Sequence, residues 1–145
     1  MLNEVADVPG MRFALHLCRG NYDSEWISKG GYQALSRRLF RKATRYDTFL
    51  LEYGDERSGS FEPLRDLPDD KIAVLGLVSS KFGELEPPDR LLARIDEASR
   101  FFPRGQLAVS TQCGFASAGP GNAISETDQA NKLGLVGEVA DLAWT

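Results

Sequence analysis

The chain has 145 residues, 42% of them hydrophobic, with a formal charge of −4 at pH 7 and an isoelectric point near 5.0. That is the composition of one ordinary globular domain. Its 17 Lys and Arg residues are scattered and draw no nucleic-acid groove, and no run approaches the roughly 18 apolar residues of a membrane span. The opening stretch "MLNEVADVPG" lacks the basic and apolar regions of a secretion signal, so the cytoplasm is the expected compartment. Two Cys residues there are expected as thiols or metal ligands rather than as a disulfide.

Residues 1–9 read as the tail of a preceding helix, and "MRFALHLC" (11–18) as a first strand. "GGYQALSRRLFRKA" follows with Tyr32, Leu35, Leu39 and Ala43 at helical spacing. "YDTFLLEY" (46–53) is a second strand, and "GSFEPLRDL" a short irregular helical segment interrupted by Pro63. "KIAVLGLVSSK" (71–81) is a third strand, punctuated by glycine. The next helix opens on Pro88, which suits a first turn, and offers Leu91, Leu92, Ile95 and Phe102 for burial. "QLAVSTQC" (106–113) is the fourth strand. A last helix starts at Ser125, where Asp128 completes a capping box, and presents Leu133, Val136, Ala140 and Trp144. Four strand–helix units with near-continuous apolar strands predict an α/β fold with a helix-covered parallel sheet. A doubly wound sheet and part of a (β/α)8 barrel both fit this order, though a whole barrel needs about 250 residues.

The polar residues fall at one end of this pattern. His16 and Cys18, the only His and one of two Cys, close the first strand on one face. Glu52 closes the second, Ser79, Ser80 and Lys81 the third, and Cys113 the fourth. In parallel α/β folds chemistry gathers outside the carboxyl ends of the strands. One imidazole, two thiols and a carboxylate are a zinc-type donor set. Taken singly, each has a plainer reading: a strand-end Cys as a small buried apolar group, the His as a satisfied polar residue, Glu52 as a partner for Arg19 or Arg57, with Asp55 and Glu56 as competing carboxylates. "GFASAGPGN" (114–122) is an ordinary βα loop more readily than an anion cradle, and no G-K-[ST] follows it. Arg57 and Arg65 suit a carboxylate or a solvated loop, Lys81 an acid, an electrostatic anchor or a rim cation, and Trp26 and Trp144 packing.

At these residues the chain resembles the C-terminal part of the cobalamin-independent methionine synthase family, above all its shorter single-barrel members. The resemblance is carried, in order, by "HLCRGN", "FLLEYGDERSGSFEPLR", "VLGLVSSK", "ELEPPDRLLARIDEASRF", "QLAVSTQCGFAS" and "GNAISETDQANKLGLVGEVADLAW". It implies that residues 1–145 are the C-terminal half of a (β/α)8 barrel, with zinc held by His16, Cys18, Glu52 and Cys113. It further implies a methyl transfer from a methylated folate to the sulfur of homocysteine; the catalytic candidate, Lys81, comes from this chain's own strand-end residues and not from the resemblance. Zinc deprotonates a coordinated thiol. Two thiolates and one carboxylate then leave the centre at −1, a charge kept when a substrate thiolate replaces Glu52.

The chain departs from the large methionine synthases at two places. It has "SSK" where they carry Asp-x-His-Ser, and "TQCG" where they carry "PDCG". The shorter relatives share the first difference and include enzymes that alkylate other thiols. The first four barrel strands are not in this chain, so it is expected to be a fragment, a truncated gene product or half of a self-associating barrel, partnered by a missing N-terminal barrel half or a second copy beside the small-molecule thiol and methyl donor. A non-catalytic half barrel that packs against a partner is the alternative.

Overall fold

A computed structural model describes residues 2–18, 30–55, 58–116 and 121–145, with the backbone of Asn21–Tyr22 and Glu25–Trp26. In chain order the strands and helices are β1 (Ala14–Leu17), β2 (Asn21–Tyr22), β3 (Glu25–Trp26), α1 (Gln33–Leu39), β4 (Thr48–Glu52), β5 (Ile72–Val78), α2 (Pro88–Ala98), β6 (Leu107–Thr111) and α3 (Glu126–Trp144). The four apolar strands form one parallel sheet in the order β1-β4-β5-β6, and the two-residue strands β2 and β3 pair antiparallel. The sheet is open, with β1 and β6 at its edges.

Register decides which residues meet the helices, because side chains alternate between faces with a period of two. Leu15, Phe49, Ala73 and Leu107 share one row, and Leu17, Leu51, Leu75 and Val109 the next but one. Phe49, Leu51, Ala73, Leu75 and Leu107 are buried, in one cluster with Leu91, Ile95, Leu135 and Val139 from α2 and α3. The intervening rows point the other way: Ala14, Thr48 and Ile72; then His16, Leu50, Val74 and Ala108; then Glu52, Gly76 and Ser110. Ala14 and His16 are exposed, and Thr48, Leu50, Ile72, Val74, Ala108 and Ser110 only half-buried. One apolar face is thus covered by helices, and the other is the face that a closed barrel turns inward.

Three expectations need correction. Residues 2–4 form a short 3-10 turn rather than the end of a helix. The first helix is limited to Gln33–Leu39, where Leu35 is exposed and Ser36 buried, its hydroxyl donating to Asp66 at 2.6 Å. Asp66 ends the 3-10 turn Glu62–Asp66, which carries the expected Pro63. The buried stripe of α3 is Lys132, Leu135, Val139 and Ala143, one residue ahead of the expected Leu133, Val136, Ala140 and Trp144. Lys132 takes a core position because its ammonium is satisfied there: Nζ donates to the Glu84 carbonyl at 2.5 Å and meets Glu86 at 3.0 Å. A buried charge so paired is tolerated, and its stem packs as hydrocarbon. Val136 and Trp144 still pack on the core from the side, and Trp144 donates its indole N–H to the Arg104 carbonyl. The N-terminus of α3 is as expected, with the Asp128 N–H donating to Ser125 Oγ at 3.1 Å.

This stripe is checked by truncation. Leu135→Ala is expected to cost about 2–5 kcal/mol in urea unfolding, the range for a buried Leu. Leu133→Ala, at a position 58% exposed, is expected to stay within about 0.5 kcal/mol.

Candidate metal centre

The pairing of β1 with β4 ends at Leu17 and Leu51, one residue before Cys18 and Glu52. The shared register therefore sets the two ligand-type residues side by side. Cys113 arrives differently. It follows β6, and β5 lies between β6 and β4, so the Cys113 thiol must cross β5 to reach the others. Gly76 is the β5 residue paired with Glu52, and it leaves that crossing open. A Cβ at Gly76 would stand 3.0 Å from Gln112 Cα, 3.1 Å from the Thr111 carbonyl and 3.2 Å from the Leu51 carbonyl. The ladder between β5 and β6 shifts register between Gly76 and Val78, and the Gln112 N–H donates to the Val78 carbonyl at 2.8 Å. Such irregularities re-aim a strand end, and they recur beside active sites.

The crossing brings Cys113 Sγ to 3.7 Å from His16 Nε2, and its S–H donates to Glu52 Oε1 at 2.7 Å. One ligand atom each from His16, Cys18 and Cys113 lie within 4.8 Å of one another. Glu52 is not in that mutually close trio; it adjoins it on the Cys113 side, buried where His16 and Cys18 are exposed. Both cysteines are free thiols. Burial pushes the Cys113 thiol far above the usual thiol range, and the hydrogen bond to Glu52 and the charges of Glu52 and Cys18 push it further. Cys113 resists becoming a thiolate unaided.

A divalent cation reverses that resistance, since it favours every deprotonated group around it. The geometry suits one: with metal bonds of about 2.3 Å to sulfur and 2.0 Å to nitrogen, two ligands of a tetrahedral ion lie about 3.5 Å apart. The His16–Cys113 spacing is close to that edge, whereas the widest span of the trio exceeds it by about 1 Å, within the reach of a side-chain rotation. Sulfur and imidazole donors select zinc over magnesium or calcium.

The other sequence candidates are dispersed. Lys81 is buried at 3% exposure, with Nζ 3.8 Å from Asp55, so that this expected competitor of Glu52 faces a cation. The Ser79 N–H donates to Glu86, and the Ser80 carbonyl accepts from Asn122. Arg65 lies over the Phe101 ring. Arg19, Glu56, Arg57, the side chain of Trp26 and residues 117–120 of the Gly-rich loop lie outside the described residues. Gly76 and Tyr32 escaped notice as parts of the site. The only sequence signal for Gly76 was a glycine interrupting an apolar strand, which marks a bulge or a close approach.

No protein-family model matches the chain. YxjG of Bacillus subtilis (strain 168) is 48% identical over 142 residues, 97% of this chain and 37% of that protein. YxjH of the same strain is 44% identical over the same length and shares; both are described as uncharacterized. The crystal structure of a candidate vitamin-B12-independent methionine synthase from Listeria monocytogenes superposes with a TM-score of 0.74 at 33% identity, covering 99% of this chain and 39% of that one. A B12-independent methionine synthase from Shewanella sp. W3-18-1, in complex with selenomethionine, gives a TM-score of 0.70 at 20% identity, over 92% of this chain and 39% of that one; at that identity it speaks for the fold alone. The four parallel strands and their helices match the C-terminal half of a methionine synthase (β/α)8 barrel. The chain spans well under half the length of each of these proteins.

Thiol alkylation tests the electrostatics without a metal. In Cys18→Ser protein, iodoacetamide is expected to modify Cys113 only at pH well above that of an ordinary thiol. Adding Glu52→Gln should move the profile of rate against pH downward, while leaving it above the ordinary range because burial remains. An unmoved profile, followed by mass spectrometry, would contradict the assigned role of Glu52.

Proposed function

We propose that residues 1–145 form the C-terminal half of a (β/α)8 barrel and that the completed barrel is a zinc-dependent methyltransferase acting on a thiol, of the B12-independent methionine synthase type. The observation that carries this reading is the convergence of His16, Cys18 and Cys113, with Glu52 against Cys113, at the carboxyl ends of three strands of a half barrel. The similarity to a candidate methionine synthase supports the reaction class. The acceptor would be homocysteine and the donor a methylated folate.

His16 would hold the metal through a ring nitrogen, Cys18 and Cys113 as thiolates, and Glu52 as the oxygen ligand on the buried side. Zinc bound there would lower the pKa of a substrate thiol so that its sulfur attacks as thiolate. The site's own part is proton and charge management. Cys113, protonated when no cation is present, must give up its proton to solvent as the centre forms. Glu52, freed of the S–H that it accepts, would then be available as the oxygen ligand. In the transfer a sulfur–carbon bond forms as the donor–methyl bond breaks, leaving the electron pair on the donor. Lys81, fixed beside Asp55 in a dry position, is assigned as the cation that steadies charge at the rim.

The partner is whatever supplies the remaining four strands: an N-terminal barrel half or a second copy of this chain. The half-exposed inner face and the open edges of β1 and β6 support that requirement, since unpaired edges invite pairing. A second reading, with another small thiol as acceptor, is favoured by Ser79, Ser80 and Lys81 standing at the end of β5 in place of the Asp-x-His-Ser stretch.

Metal analysis is the test. The chain should bind one zinc ion, with Cys18→Ser and Cys113→Ser each removing it. Affinity should rise with pH, because the raised Cys113 pKa makes a proton the competing ligand. The completed barrel should transfer methyl to homocysteine, or to another thiol if the second reading holds. Zinc content unchanged in both variants would overturn the proposal.

A further inference from the structure

Tyr32 is 3% exposed and sits just before α1, after Gly30 and Gly31. Gly30 has φ of +146°, and a Cβ at Gly31 would lie 3.2 Å from the Ser58 carbonyl, so this turn is built for residues without side chains. It delivers the Tyr32 ring against Tyr53 and Phe40, with centroids at 5.2 and 6.4 Å. The ring is held, and its hydroxyl has one place to go. It donates to the Leu17 carbonyl at 2.8 Å and accepts from the Glu52 N–H at 2.8 Å.

Those two groups belong to the peptide units that lead into Cys18 and Glu52. The β1–β4 pairing stops at Leu17 and Leu51, so this hydroxyl bridges the strands at the point where both ligand-type residues depart. A peptide plane held in place fixes where the next Cα sits, and so the point from which its side chain departs. We propose that Tyr32 is a positioning residue for the metal centre: one hydroxyl sets the Cys18 and Glu52 backbones at the spacing that a single ion needs. This rests on the zinc reading above. It assigns Tyr32 no contact with metal or substrate. Groups that orient ligands from behind tune metal affinity by about 10- to 100-fold in known sites, and here the orientation would act through the backbone.

Tyr32→Phe removes the hydroxyl and keeps the ring. Zinc affinity, measured by competition with a chromophoric chelator, is expected to fall about 10- to 100-fold. In the cobalt(II)-loaded protein the thiolate charge-transfer absorption should persist while the d–d bands shift, as expected when both sulfurs remain on a distorted centre. The control is Leu135→Ala, which lowers stability from α3 and leaves the packing around the Tyr32 ring intact. It should lower resistance to urea and leave zinc affinity at the wild-type value. Wild-type affinity in Tyr32→Phe, or an equal loss in Leu135→Ala, would overturn the proposal.

A measurement on the unaltered chain covers a variant that fails to fold. The Glu52 amide proton should be among the slowly exchanging ones and should slow further on adding zinc. Exchange as fast as at an exposed amide would also overturn it. Wild-type protein that binds no zinc at all refutes the functional reading instead, so the two failures are distinct.

Discussion

The path of the chain over Gly76 is the constraint from which the site follows. β4 and β6 are not neighbours, yet their ends meet, with Cys113 Sγ at 2.7 Å from Glu52 Oε1. Any side chain on the intervening residue of β5 would fill the passage, since even a Cβ would stand 3.0 Å from the Gln112 backbone. The missing side chain and the shifted ladder act together. The first makes room, and the second turns the end of β6 inward. A glycine is a cost in a strand, because it weakens the strand and packs nothing. Here it lies on the face that the helices do not cover, where little packing is lost.

The site is a place of stored electrostatic conflict. Two thiols, a buried carboxylate and an imidazole share a few ångströms, and Cys113 is driven toward its protonated form by burial and by Glu52. A cluster of this kind is poor packing and good coordination chemistry. The opposite solution appears at Lys132, where a buried charge is matched locally by a carboxylate and a carbonyl. That pair ties α3 to the loop before α2 and leaves no charge unanswered. The contrast separates a structural ion pair from the proposed metal centre, whose conflict a cation would relieve.

Much of this was legible in the residues themselves. The apolar runs at 11–18, 46–53, 71–81 and 106–113 placed His16, Cys18, Glu52 and Cys113 on one rim, because strand ends are marked by a change of composition. The face of α3 was less legible. Leu133 and Lys132 are adjacent, and hydropathy alone gives the core position to the leucine; only the Glu84 and Glu86 oxygens, 46 to 48 residues away in the chain, reverse it. Leu35 and Ser36 repeat the pattern, with Asp66 as the distant partner. Tyr32 read as an ordinary apolar residue of a helix. Its hydroxyl acquires a task only when β1 and β4 lie side by side. In each case what sequence periodicity missed was a polar atom satisfied by a partner far away in the chain.

The proposed function requires four side chains to share one ion. X-ray absorption at the zinc edge of the metal-loaded chain tests this most directly, because it counts donor atoms by type. Two sulfurs at about 2.3 Å and two nitrogen or oxygen atoms at about 2.0–2.2 Å are expected from Cys18, Cys113, His16 and Glu52. A first shell with one sulfur or none would contradict it.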